Sequence, residues 1–145
     1  MEVSATDVLL APAERIWFLF TDPRKLARWT GTKLVERPAC PMNVGDHLVV
    51  RAGGLRISCD VLDMRPPRQL MLHIRLPFGL TNREQIQITP IDAHSSRVTF
   101  NAHFIFPPGW RGQLVEKILR RRLVTGPARG LRRLKRAAER DLILA

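Results

Sequence analysis

The 145-residue sequence predicts an α+β protein in which an antiparallel sheet is combined with a long C-terminal helix. A strand-like segment at residues 3–10 is followed by two short helices within residues 11–31. Alternating apolar and polar residues then recur in consecutive segments between residues 47 and 106, which is typical of an antiparallel meander with one wet face. From residue 110 onward the apolar spacing is helical. At this length we expect residues 1–145 to form a single domain with a substantial core.

The helix pair is predicted from its boundary residues. Pro12 suits the first position of a helix, where its missing N–H would have no partner. Asp22 and Pro23 end this first helix and begin a second, because aspartate caps helix N-termini well and proline is tolerated in the first turn. Apolar stripes on the two helices contain Ile16, Trp17, Leu19 and Phe20, then Leu26 and Trp29.

The strands are predicted from period-two alternation between turn signals. Gly53-Gly54 is a strong hairpin turn between two of them. Only one acidic residue, Glu84, falls on the apolar face of the segment 83–89. The predicted strands are 34–37, 47–52, 55–64, 69–75, 83–89 and 97–106.

The C-terminal helix begins near Trp110, after Pro107-Pro108-Gly109 ends the meander. Gly126-Pro127 interrupts the helical pattern, and an internal proline costs a helix a hydrogen bond and kinks it. One bent helix and two helices joined at Gly126 are both compatible with this segment.

The formal net charge of +11 is concentrated in the C-terminal helix. Eleven of the 24 basic residues lie between residues 111 and 140, where the only acids are Glu116 and Glu139. The preference for arginine over lysine is typical of a GC-rich bacterial genome. Cys40 and Cys59 lack metal-ligand spacing and are expected to be reduced thiols. With no signal-peptide pattern and no apolar run of about 20 residues, we expect a cytoplasmic protein.

This order of elements resembles the helix-grip fold of the START-like and birch-pollen-allergen superfamily, also called SRPBCC. The resemblance covers essentially the whole chain. Its residues are Ala11-Pro12-Ala13-Glu14 with Ile16-Trp17, Asp22-Pro23 with Trp29, Val44-Gly45-Asp46, and the closing segment 131–139. Within the superfamily the chain is most similar to the bacterial polyketide cyclase/dehydrase and lipid-transport group. These motifs indicate the fold and say little about the ligand.

The resemblance implies a curved sheet of six to seven strands around the long helix, with a ligand cavity between them. Strand parity would place Ile57, Cys59, Leu72, Ile74, Ile86, Phe100 and Phe104 in its wall. The implied lid from the helix is Trp110, Leu114 and Ile118, with Trp29 near the entrance. Each of these residue types alone is more often part of an ordinary core than a ligand contact, so the prediction depends on the set.

Glu84 is the one candidate for acid–base chemistry. A buried carboxylate requires an arginine partner or acquires a raised pKa, whereas a position at the open end of the strand would leave it solvated. The residues show no other catalytic constellation, and no cofactor is expected. The four histidines lack metal-ligand spacing, so no metal site is predicted.

The arginines 120–122 cannot share one face of a helix, since successive residues are about 100° apart. We expect Arg120 to be solvated and Arg121 and Arg122 to flank the apolar stripe. One of these two, Arg122 in particular, would lean over the cavity rim toward Glu84 or an acidic ligand headgroup. The rest of the basic helix is either a solvated face or a contact for an anionic membrane. Nucleic acid is disfavoured because no aromatic residues interleave the basic run.

Three functions follow from these patterns. The favoured one is binding or transport of a small hydrophobic ligand, such as a lipid, a quinone or a polyketide-like molecule. The alternative is a cyclase- or dehydratase-type enzyme that uses Glu84 as acid or base. The third is a protein that contacts anionic surfaces through its basic helix.

Overall fold

The protein contains a seven-stranded antiparallel sheet, whose strands lie in the spatial order β1-β7-β6-β5-β4-β3-β2. The computed structural model describes residues 1–144, with side chains for residues 1–140. β1 pairs with β7 along its whole length, from Glu2 opposite His103 to Leu9 opposite Ser96. The strands are β1 (Glu2–Leu9), β2 (Lys33–Glu36), β3 (His47–Ala52), β4 (Leu55–Arg65), β5 (Gln69–Arg75), β6 (Thr81–Pro90) and β7 (Ser96–Ile105).

The two short helices predicted after the first strand are present. They are α1 (Ala13–Thr21) and α2 (Pro23–Thr30), and the last helix is α3 (Trp110–Leu144). The Asp22 side chain caps α2 by accepting hydrogen bonds from the backbone N–H groups of Arg24 and Lys25, at 3.0 and 3.4 Å. Gly31 ends the helix with φ +73°, a left-handed conformation that favours glycine. The α+β helix-grip architecture predicted from the sequence is therefore confirmed.

The core lies on one face of the sheet, beneath the three helices. Ile86, Ile88 and Val98 on the sheet and Leu134 on α3 are almost completely inaccessible to solvent. Burying such aliphatic side chains stabilises the fold by about 1.5–3 kcal/mol each. A second, smaller cluster forms toward the start of α3 and consists of Leu80, Ala102 and Phe104 with Leu119, Leu123 and other half-buried residues.

α3 continues through Pro127 as one helix, which decides between the two alternatives that the sequence left open. Leu123 packs against the smaller cluster, and Leu131 and Leu134 belong to the main core. The helix is thus anchored to the sheet on both sides of Gly126-Pro127. None of the helices, within the residues that the structure describes, is long and apolar enough to cross a membrane.

Candidate functional site

A cavity of about 370 Å³ lies between the concave face of the sheet and the middle of α3. The helix leaves this space because it presents Gly126, Pro127 and Gly130 there instead of large side chains. A Cβ atom added to Gly126 would meet no atom within 4 Å. One added to Gly130 would lie 3.5 Å from Cε2 of Phe100, an ordinary van der Waals distance. The cavity therefore results from small residues on the helix.

The wall of the cavity is apolar and is built mainly by β3 to β7. Strand alternation directs every second side chain toward α3, which is why the predicted wall residues converge. Eight predicted residues line the cavity: Trp29, Ile57, Cys59, Leu72, Ile74, Ile86, Phe100 and Phe104. Additional apolar lining comes from Phe20, Leu26, Leu48, Val50, Leu76, Ala102 and Leu123.

The predicted lid is wrong. Trp110, Leu114 and Ile118 lie outside the cavity, with 69%, 48% and 67% of their surfaces exposed. The buried stripe of this part of α3 contains Leu119 and Leu123, which pack on the smaller cluster. The row of Leu114 and Ile118 is rotated away from this stripe by roughly 140°, at about 100° per residue. The segment that covers the cavity lies farther along the helix, around Gly126.

Glu84 lies in the wall of the cavity, near the centre of the sheet. It pairs with Leu72 on β5 and with Ala102 on β7, so it does not sit at an open strand end. The side chain is half-buried and lines the cavity. Burial raises the pKa of its carboxyl from 4.5 to about 7, because the apolar surroundings disfavour the charged form. At neutral pH this carboxyl is therefore present in both protonation states.

Asn82 is a second polar group of the cavity, which the sequence analysis missed. It is buried on β6, two residues before Glu84, and its side chain lines the cavity. Its Oδ1 accepts a hydrogen bond from the backbone N–H of His103, at 3.1 Å, which orients the amide. Two residues along a strand span about 7 Å. Asn82 and Glu84 thus form a pair of polar groups on one strand, where the rest of the cavity wall built by the sheet is apolar.

Cys59 faces the same cavity but is not a nucleophile at neutral pH. Burial, with smaller contributions from the charges of Glu84 and Asp60, raises the pKa of its thiol to about 12. Since the thiolate is the reactive form, a thiol with so high a pKa is inert. Cys59 contributes apolar surface to the wall.

Trp29 holds the end of α2 against the cavity. Its indole Nε1 donates a 2.7 Å hydrogen bond to the carbonyl oxygen of Leu19. Its ring meets Phe20 edge to face, with centroids 5.4 Å apart. Both contacts fix the indole, so the wall is preformed on this side.

Arg122 is exposed and lines the cavity, which places it where the cavity meets solvent. Of the two partners expected for Arg122, Glu84 or an acidic ligand headgroup, Glu84 is not paired with it, since no cation of residues 1–140 lies within 4.0 Å of the Glu84 carboxylate. Glu84 thus keeps its raised pKa. Arg120 is exposed, as expected, and pairs with Glu116 at 3.4 Å.

Fold and site together define a class of proteins: helix-grip domains with an apolar ligand cavity beneath the C-terminal helix. The family described as polyketide cyclase/dehydrase and lipid transport matches residues 1–139. The chain belongs to this family. No curated protein matches the sequence significantly.

Several solved structures with low sequence identity to this chain share its fold. DynU16, a protein of the dynemicin biosynthetic locus, superimposes with a TM-score of 0.71 at 23% identity over 95% of this chain and 47% of its own. This chain therefore spans about half the length of DynU16. MLL2253 from Mesorhizobium loti gives a TM-score of 0.71 at 20% identity and covers 97% and 98% of the two chains.

An enzyme is also among the structures that share this fold. Norcoclaurine synthase from Thalictrum flavum, as a point mutant bound to a transition state analogue, gives a TM-score of 0.69 at 14% identity. The alignment covers 97% of this chain and 95% of the synthase. At 14% identity, the structural similarity to the synthase shows a common fold alone.

Proposed function

We propose that the protein binds a small, mostly hydrophobic ligand in the cavity beneath α3. The observation that carries this proposal is the space opposite Gly126, which is walled by apolar side chains. Filling it would remove exposed apolar surface from water at a gain of roughly 25 cal/mol per Å². Membership in a family of polyketide cyclases and lipid-transport proteins supports the same function.

The polar groups of the cavity constrain the chemistry of this ligand. Glu84 and Asn82 supply hydrogen bonds in the interior, which suit a hydroxyl, carbonyl or amine group on the ligand. Arg122, at the exposed side, suits a polar or acidic end that remains near solvent. We therefore propose an amphipathic molecule with an apolar body, such as a lipid, quinone or polyketide-like compound.

Native mass spectrometry of protein purified from its own host tests this proposal. We expect a retained hydrophobic molecule that is released on denaturation. The variant Gly126→Leu directs a new side chain into space that is empty beneath the helix, so it should lose the retained ligand. Ala128→Leu is the matched control, because Ala128 is exposed on the same helix and does not line the cavity.

Retention by the control but not by Gly126→Leu would support the cavity as the binding site. Circular dichroism and thermal melting should show that both variants fold, since leucine is a better helix former than glycine by about 1 kcal/mol and ranks only slightly below alanine. Equal retention in the two variants would contradict the proposal.

A second candidate function is an acid–base enzyme of the cyclase or dehydratase type. The raised pKa of Glu84 favours it, because a carboxyl that titrates near neutral pH can both take up and release a proton. Asn82 would orient a substrate carbonyl beside it. A solved synthase with the same fold shows that this architecture is compatible with catalysis.

The variant Glu84→Gln separates binding from catalysis. For an enzyme, we expect turnover to fall by a factor of roughly 10² to 10⁴ while affinity for the ligand is unchanged. For a binding protein, no turnover depends on Glu84, and affinity changes little because the glutamine amide still donates and accepts hydrogen bonds.

Peripheral contact with an anionic membrane is the third candidate. The observation that favours it is the excess of basic residues on α3, most of them exposed. Such a contact would bring the cavity close to a bilayer that supplies or receives a hydrophobic ligand. It predicts an association that weakens as salt is added.

A further inference from the structure

A second concave site, which we call the basic groove, lies between α2 and α3 and has a volume of about 510 Å³. Five cationic side chains line it: Lys25 and Arg28 from α2, and Arg133, Arg136 and Arg140 from α3. Helical spacing explains the arrangement, since residues three or four apart lie on one face. Each helix thus turns a row of cations toward the other.

The basic groove has no acidic counterpart within residues 1–140. No carboxylate of these residues lies within 4.0 Å of any of its five cations. Elsewhere α3 does pair its charges, as in Glu116 with Arg120 and Lys135 with Glu139 at i and i+4. Like charges at these spacings destabilise a helix by a few tenths of a kcal/mol per pair. A bound anion would relieve this repulsion.

Arg133 has a structural role that shapes the groove. Its Nη1 donates a 2.7 Å hydrogen bond to the carbonyl oxygen of Thr30, at the end of α2. This approach requires a glycine at position 31, because a Cβ there would lie 2.6 Å from the same Nη1. The other four cations donate no side-chain hydrogen bond within the described part of the chain. Their donors are therefore available to a ligand.

We infer that the basic groove is a binding site for a phosphate-bearing ligand with several negative charges, such as an oligophosphate or a phosphomonoester headgroup. A single carboxylate would offset only one of five positive charges. Phosphate groups provide several charges and several acceptor oxygens in a small volume, and the arginine fork matches them in a bidentate manner. This inference is independent of the ligand in the cavity.

Trp29 connects the groove to the cavity. The indole lines both sites and so forms part of the wall between them. An anion in the basic groove changes the charge beside this indole, so its fluorescence reports binding.

Calorimetric titration with inorganic tripolyphosphate, at about 20 mM salt where screening is weak, tests the inference. We expect saturable binding with one site per chain and a change in tryptophan fluorescence that follows the same curve. The double variant Arg136→Gln/Arg140→Gln removes two groove cations and leaves the hydrogen bond from Arg133 to Thr30 of α2 intact. It should weaken binding by about tenfold or more, because charge-assisted hydrogen bonds are lost.

The double variant Arg129→Gln/Arg132→Gln is the matched control. Both arginines are exposed on α3 and lie outside the basic groove, so the change in net charge is the same. We expect this control to alter affinity by less than about twofold. Equal weakening by the two double variants, or binding that does not saturate, would overturn the inference, because net charge alone would then explain the binding of tripolyphosphate.

Vesicles distinguish the sources of the phosphate. Vesicles of phosphatidylcholine with phosphatidic acid present a phosphomonoester headgroup, and vesicles with phosphatidylserine of equal charge density are their control. Preferential binding to phosphatidic acid that tripolyphosphate displaces would assign the basic groove to a lipid headgroup. Tripolyphosphate binding without vesicle binding would assign it to a free phosphate compound. Tighter binding of a single-stranded oligonucleotide that depends equally on all four arginines would instead overturn the inference.

Discussion

Replacing Glu84 with glutamine should make the stability of the protein less dependent on pH. Glutamine has nearly the same shape but does not ionise, so the variant removes the charged state and leaves the packing of β6. In the folded protein burial raises the pKa of Glu84 from 4.5 to about 7. The unfolded chain releases this proton near its ordinary pKa, so the two states differ between these values.

The sign follows from which state holds the proton. Between pH 4.5 and about 7 the folded state retains the proton of Glu84 and the unfolded state has lost it. Raising the pH therefore favours unfolding by about 1.4 kcal/mol per pH unit. The stabilisation is fully present below the lower value and is lost as the pH rises through the upper one. The total is about 3 kcal/mol as an upper value, since Glu84 retains some access to solvent.

Urea unfolding at several pH values measures this effect. Relative to the parent, we expect Glu84→Gln to gain about 2–3 kcal/mol in free energy of unfolding between about pH 5 and pH 8. Glu14→Gln is the control, because Glu14 is exposed in the first turn of α1. Losing that charge at the positive end of a helix should cost up to about 1 kcal/mol at neutral pH, which is the opposite sign. A difference between Glu84→Gln and the parent that does not vary with pH would refute the reasoning and place the carboxylate in solvent.

Two further predictions concern the helix cap and the thiols. Asp22→Ala should lower the free energy of unfolding, measured in urea, by about 1 kcal/mol, because the N–H groups of Arg24 and Lys25 lose their acceptor. Asp22→Asn keeps an acceptor oxygen and should recover most of this loss. Equal losses in the two variants would contradict the capping role of Asp22. A thiol reagent near neutral pH should label one cysteine per native chain, since Cys40 is exposed and burial raises the pKa of the Cys59 thiol to about 12. Cys40→Ser should abolish this rapid labelling. Rapid labelling that persists in the variant would show that Cys59 is accessible.

The sheet was predictable because most of its strands have one wet face and one buried face. β3 and β5 have the predicted bounds, since alternation is regular between clear turn signals. β6 begins at Thr81, two residues earlier than predicted, because its first residues pair with β5 and β7 although they are polar. That difference hid Asn82. If the strand is extended to Thr81, Asn82 lies two residues before Glu84 and therefore on the same face of the sheet, which could have identified it.

The lid was not predictable because α3 carries two apolar rows. Leu114 and Ile118 form one row and Leu119 and Leu123 the other, about 140° apart, so helical spacing alone allows either to face the sheet. Packing against the smaller cluster selects the second row. Gly126-Pro127 allowed either one bent helix or two helices in the sequence, and α3 is a single helix in the folded protein. Leucines on both sides of it supply the packing that holds the helix.

The placement of Gly126, Pro127 and Gly130 separates two properties that most protein cores combine. In a typical core, the side chains that determine the shape of a binding site also hold the secondary structure together. On α3, Leu131 and Leu134 attach the helix to the sheet without lining the cavity, while the preceding five-residue span, 126–130, leaves room beneath it. Substitutions at Gly126, Pro127 and Gly130 would therefore change the room beneath α3, with the strands and their pairing left unaltered.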